Sequence, residues 1–291
     1  MARSTLFVLA LLSAAIAASA NPLWEDEDVA DTEQQMDEPD IDQGNEIDPD
    51  DVNLNAHNDE LKLSGLLENP ELFEGDIENV NASDLEGRNA INDPTRKWNK
   101  LIVPYVISHQ YSSSSRQTIL QGMQEYHKRT CIKFVAKTNE RDYIFIRPGT
   151  GCSSSVGRQG GRQDVSLGNG CVIPGIVVHE LMHALGFWHE QSRPDRDKYV
   201  SINWSNIPSR LRHNFMKFSH GEVDTLRLPY DIGSVMHYGA YDFAINRRQE
   251  TVKSKVKSSS MGQRRGFSKL DVQKVNKLYR CNMGKRDFMD D

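Results

Sequence analysis

Apolar and polar positions follow two regimes along the 291 residues. Between residues 24 and 60 apolar side chains are too sparse for a packed core, whereas from about 101 onward they recur at strand and helix spacings. The apolar run Leu101–Ile107 predicts a strand, and Pro104, which has no N–H to donate, places it at a sheet edge. Ile132–Val135 and Tyr143–Ile146 predict two more short strands. Ser113–Ser115 offers a cap to a helix carrying Ile119, Leu120, Met123 and Tyr126 or His127 on one face. Gly149–Gly161, rich in Gly and Ser, reads as a loop. Ile173–Leu185 reads as a buried helix closed by Gly186. Ser268, with Asp271 three residues later, starts a last helix with Val272, Val275 and Tyr279 on one face. Regular structure is sparse from about 190 to 265, and no internal repeat is present.

The N-terminus and the charge distribution divide the chain further. Residues 1–20 read as a signal peptide: Arg3 is the basic end, Leu6–Ile16 the apolar stretch and Ala18-Ser19-Ala20 the small-residue cleavage site. The apolar stretch is too short to span a membrane and none later is long enough, so a secreted, extracellular product is expected. Residues 21–88 hold 23 acidic residues against Lys62 and Arg88, a formal −21, while 89–291 hold 32 bases and 18 acids, +14. This asymmetry predicts an acidic prosegment over 21–88, largely disordered, that masks a basic domain over 89–291; a solubilising tail is the plainer reading. Arg88 is the only base between Lys62 and Arg96, so a trypsin-like protease cutting the Arg88–Asn89 bond would leave 203 residues, a single-domain size. Cys131, Cys152, Cys171 and Cys281 lie in the basic part and predict two disulfides, with three pairings open; no C-x₂₋₄-C pair suggests a cysteine metal site.

The candidate chemistry sits in His179-Glu180-Leu181-Met182-His183-Ala184-Leu185-Gly186-Phe187-Trp188-His189. On a helix, His179 and His183 project from one face and can grip one metal ion. Gly186 can turn left-handed and stop the helix, letting the chain bring His189 back as a third ligand. Three neutral imidazoles leave an open position, the pattern of catalytic zinc. Glu180, beside His179 but not a ligand, is placed as general base and acid towards a metal-activated water.

This run is the metzincin signature, and its continuation Phe187-Trp188-His189-Glu190 resembles the astacin family of zinc endopeptidases. Ser234-Val235-Met236-His237-Tyr238 resembles that family's Met-turn. The resemblance implies that Met236 floors the zinc site, and that Tyr238 is an additional ligand that swings away and stabilises the oxyanion. Phe73-Glu74-Gly75-Asp76 resembles the family's latency motif, which implies that Asp76 coordinates the zinc in the latent form. From Phe73 to Cys281 the resemblance implies an α+β, two-lobed domain, with a twisted mixed sheet and helices above a cleft and an irregular lower lobe ending in a helix. It further implies bridges Cys131–Cys281 and Cys152–Cys171, and a mature amino terminus at Asn89 that meets Glu190. The sequence around Asn89-Ala90 and the stretch Leu101–Ser108 are most similar to vertebrate hatching-enzyme-type members, which suggests egg-envelope digestion. Those members carry a cysteine pair near the mature N-terminus, where this chain has Asp93-Pro94-Thr95-Arg96-Lys97-Trp98.

The expected partners are protein substrates, the chain's own prosegment and an activating protease; no nucleic-acid-binding module is recognisable. A catalytically silent binding protein of the same fold is the alternative, but it would be expected to lack Glu180 or a ligand, and all remain. Asn81-Ala82-Ser83 and Asn203-Trp204-Ser205 are glycosylation sequons. His57, His109, His127, His213 and His220 lack ligand spacing, and His237 reads as structural. Arg247, Arg248, Lys253, Lys255, Lys257, Arg264 and Arg265 form a basic stretch, either a solvated loop or a cleft rim that favours acidic substrates.

Overall fold

Short strands need partners on both sides to be buried, and here most find them in one six-stranded mixed sheet. The structure is a computed structural model describing residues 65, 67–80, 93–218, 225–256 and 260–281. The signal peptide, the acidic stretch 24–60, Arg88, Asn89, His57, His220, Lys257 and the Asn81 sequon lie outside the described residues. In chain order the sheet strands are β1 (Ile77–Glu78), β2 (Ile102–Ile107), β3 (Lys133–Ala136), β4 (Tyr143–Arg147), β5 (Cys152–Ser155) and β6 (Arg162–Leu167). Their spatial order is β1-β5-β6-β4-β2-β3, all parallel except β5 with β6.

Two sequence expectations are corrected here. β2 is not an edge strand: it lies between β3 and β4. Pro104 is tolerated because it pairs in register with Val135 of β3, while pairing with β4 begins only at Tyr105. The Gly/Ser-rich stretch is not all loop, since Cys152–Ser155 is strand β5 and wholly buried. Pairing to β6 on one side and to β1 on the other supplies what its small polar side chains could not signal. β1 itself comes from the upstream acidic segment, with Ile77 opposite Ser154 and Glu78 opposite Ser155.

Helix α1 (Ser113–Arg129) is capped by Ser112, whose hydroxyl accepts from the Ser115 N–H, and it buries Ile119, Met123 and Tyr126; Leu120 stays exposed. It packs on α2 (Pro174–Ala184), to which Tyr126 donates through its hydroxyl at Val178 O, 2.7 Å away. Every α2 residue from Gly175 to Ala184 is buried, as the continuous apolar run predicts. Leu181, Met182 and Leu185 join Ile119, Ile144, Val165, Val235 and Met236 in the upper core.

Below α2 the chain forms short 3-10 turns and one small antiparallel ladder, β7 (Val200–Ile202) with β8 (Val252–Ser254). A second core of Val200, Ile207, Leu211, Phe215, Tyr238, Phe243 and Val252 holds this lower lobe. The bridges are Cys131–Cys281 and Cys152–Cys171. Helix α3 (Lys269–Leu278) starts on a capping box between Ser268 and Asp271.

Asp271 does more than cap. Its fully buried carboxylate also accepts from Ser234 Oγ at 2.5 Å and from the Val235 N–H at 2.9 Å, tying α3 to the turn at 234–238. Asp271→Ala would leave the Ser234 hydroxyl and the Val235 N–H without their acceptor and remove one of the two carboxylates near Lys274. The expected loss is about 3 kcal/mol, read as a lowered thermal midpoint against the parent at equal metal loading.

Candidate metal centre and active site

Helical spacing and one glycine assemble the centre. His179 and His183 lie one turn apart on α2, with ring centroids 4.8 Å apart. Gly186, at φ 109°, ends the helix, and the reversed chain brings the His189 ring to 4.8 Å from His183 and 5.3 Å from His179. Asp76 enters from the upstream segment. One ligand atom from each of Asp76, His179, His183 and His189 lies within 4.8 Å of the others, and all four residues are buried.

Each ring is oriented from behind. His179 Nδ1 donates to Val235 O and His183 Nδ1 to Phe187 O, both at 2.7 Å, and His189 Nδ1 donates to Glu74 Oε2 at 2.8 Å. The three Nε2 atoms are thereby left to converge on Asp76. Its carboxylate oxygens lie 2.9 Å from His179 Nε2, 3.5 Å from His183 Nε2 and 3.3 Å from His189 Nε2. Among the described residues, Asp76 Oδ1, His183 Nε2 and His189 Nε2 have no hydrogen-bond partner despite complete burial. Orphaned atoms of this kind converging on one point are what a metal ion would satisfy, and three imidazoles with a carboxylate suit a single zinc ion.

The electrostatics point the same way. Burial would raise Asp76, but His189, His183 and His179 outweigh it and hold the carboxyl well below its usual range. Burial lowers His179 to about 3, despite its bond to Asp76. Burial also acts to lower His189, yet Asp76 and Glu74 overcome it and raise that ring to about 9. Two buried carboxylates therefore demand positive charge at this point, which a dication supplies. Glu180 is fully buried, with neither carboxylate oxygen hydrogen-bonded among the described residues; burial, then Asp76, pushes it well above the usual carboxylate range.

The remaining sequence candidates fall around this centre. Met236 is buried in the upper core and its carbonyl accepts from the Glu190 N–H. Tyr238 is not among the converging ligands: its hydroxyl donates to Glu74 O at 2.8 Å, with Asn214 O at 3.4 Å, while its ring lies 4.9 Å from that of His189. The Glu190 carboxylate is met by Lys274 Nζ and the Asp231 N–H, both at 2.8 Å, and by Arg193 at 3.2 Å. His237 is buried between Tyr230 Oη and Tyr238 O, and burial lowers it to about 3. The basic stretch divides: Arg264 is buried and donates to His237 O, while Arg247 pairs with Glu68 of the upstream segment at 3.0 Å.

The sequence reading missed Glu74. A lone acid inside an acidic segment looks solvated, and its only signal was its place beside Gly75 and Asp76. The segment 67–80 is held along its length. Leu67 joins the upper core, the Glu74 N–H donates to Asn214 Oδ1 at 2.9 Å, and Ile77 packs with Val156, Trp188 and Phe218. Gly75 sits at φ 89°, and a Cβ there would lie 2.2 Å from Leu67 O. Gly75→Ala should therefore loosen the segment, and limited proteolysis should nick residues 67–80 about tenfold faster than in the parent.

A model of the peptidase family Astacin matches residues 90–280. Zinc metalloproteinase nas-13 of Caenorhabditis elegans is 48% identical over 230 residues, 73% of this chain and 51% of that protein. Zinc metalloproteinase nas-4 of the same organism is 45% identical over 218 residues, 74% of this chain and 67% of that protein. This chain thus spans about half of the first relative's length and about two thirds of the second's. Among solved structures, High choriolytic enzyme 1, a hatching enzyme zinc-protease from Oryzias latipes, is similar with a TM-score of 0.59 and 39% identity, covering 71% of this chain and 100% of that one.

Proposed function

The chain belongs to the astacin family of zinc metalloproteases, and from that premise we propose that it is a zinc endopeptidase, secreted as a zymogen whose residues 67–80 hold the site silent. The observation that carries this reading is Asp76, an upstream carboxylate buried against all three histidines of the signature run. In that position it fills the place where a water would have to bind.

His179, His183 and His189 are the residues that would hold the zinc, which when bound would activate a water and polarise the scissile carbonyl. Glu180, one residue from His179 and buried with it, takes the water's proton and delivers it to the leaving amine. Tyr238 has its hydroxyl occupied by Glu74 O; once the segment leaves, that donor is free to meet the oxyanion. Met236 supports the centre from the upper core. Cleavage after Arg88 by a trypsin-like protease frees Asn89, whose amino group joins the buried charge cluster at Glu190.

Two substrate readings are narrower. The pair Arg247–Glu68 favours a basic rim that accepts acidic side chains, since Glu68 belongs to the segment lying against the site. Equal cleavage of peptides with acidic and neutral residues near the scissile bond at low salt would remove it. Egg-envelope digestion rests on the similarity to a hatching enzyme, and release of protein from isolated envelopes would test it.

The deciding experiment is casein cleavage by protein processed after Arg88. Activity should vanish with a chelator and return with zinc. Glu180→Gln should lower it about a hundred- to ten-thousand-fold. Asp76→Asn in the uncut chain should give measurable cleavage without processing. A processed, zinc-loaded enzyme that cuts nothing would favour the silent binding protein instead.

A further inference from the structure

Two of the three metal-facing histidines are oriented by backbone carbonyls downstream of the signature helix: Phe187 O, four residues from His183, and Val235 O, 56 residues from His179. The third is not. His189 Nδ1 donates to Glu74, 115 positions upstream. Glu74 is fixed on every side. Its Oε1 accepts from Ser192 Oγ at 2.5 Å, its N–H donates to Asn214 Oδ1, and its C=O accepts from Tyr238 Oη. Its backbone is left-handed, at φ 50°, a conformation non-glycine residues rarely take unless their surroundings impose it. A chain that needed only Asp76 at the metal would not have to bury a second carboxylate in this way.

We propose that Glu74 is a positioning residue for the third metal ligand. Its carboxylate holds His189 with Nδ1 protonated and Nε2 turned to the metal position, so the uncut chain grips its metal through a bond that departs with the prosegment. The inference rests on reading residues 67–80 as the prosegment. It adds a second role for the motif: Asp76 acts at the metal directly, and Glu74 acts through the ring behind it. Partners of this kind behind a ligating histidine change metal affinity by about 10- to 100-fold.

The test uses the zinc-loaded, uncut chain titrated with a chromogenic zinc chelator, comparing the parent with Glu74→Ala, Glu74→Gln and Asp76→Asn. Glu74→Ala should release zinc at a chelator concentration about tenfold lower or more. Glu74→Gln should return close to the parent, because its amide oxygen still accepts from His189 and its NH₂ can donate to Ser192. A Glu74→Ala chain as retentive as the parent would overturn the proposal. So would equal weakening in Glu74→Gln, since the acceptor would then not be what matters. If Glu74→Ala alone fails to fold, Glu74→Leu, which keeps the bulk and removes the acceptor, takes its place: it should release zinc at the lower chelator concentration, and parental retention in it would overturn the proposal. Asp76→Asn separates the two readings. If it leaves the uncut chain silent towards casein, the latency reading fails, and the zinc titration still judges Glu74.

Discussion

A carboxylate taken out of water must be met by positive charge or by donors, because an isolated buried ion is far too costly to keep. Asp76 is such a group, and much of the molecule is arranged around meeting it. Three imidazoles converge on it, each turned by an acceptor behind its Nδ1, and those acceptors come from three different parts of the chain: residue 187 after the helix, residue 235 in the turn above α3, and residue 74 upstream. The upper core fixes α2, the capping carboxylate of Asp271 fixes the turn carrying Val235, and β1 fixes the upstream segment against β5. Disturbing any of these supports is felt at one point.

The same constraint explains the distribution of buried polar groups below the helix. Glu190, Arg193, Lys274 and Asp271 form one cluster of buried ion pairs in which each member has an opposite partner. The cluster lies one residue beyond His189 in sequence, so the irregular lower lobe is anchored by charge where it lacks regular strands. Its own apolar core is small, with seven buried residues around Phe215 and Tyr238 among the described residues, and Tyr238 serves both that core and the site.

Much of this was legible in the sequence, for physical reasons. His179, His183 and Gly186 follow from helical periodicity and the left-handed freedom of glycine, which act locally and leave a fixed spacing. Ser268 and Asp271 announce a helix start for the same reason. What stayed hidden is non-local. Two residues of β1 leave no periodicity, β5 is built from serines whose burial comes from neighbours on both sides, and Pro104 sits where one neighbour has yet to begin pairing. Arg264 looked like part of a basic surface until its guanidinium was found against His237 O. Glu74 was the deepest omission: nothing near it in sequence distinguishes an acid that faces solvent from one whose partners lie more than a hundred residues away.

The bridge between Cys131 and Cys281 spans 150 residues, whereas Cys152 and Cys171 are 19 apart. At about 5–20 residues per second of synthesis, Cys131 waits about 8 to 30 s for its partner to be made. Early in that wait Cys152 is the nearest thiol, and the shorter loop to it is easier to close by about 2 kcal/mol. The first pairing that synthesis makes possible is therefore the wrong one. The native set is reached only if the packing of β3 beside α1 shields Cys131 in time, if Cys171 arrives to claim Cys152, or if thiol exchange later undoes the mistake.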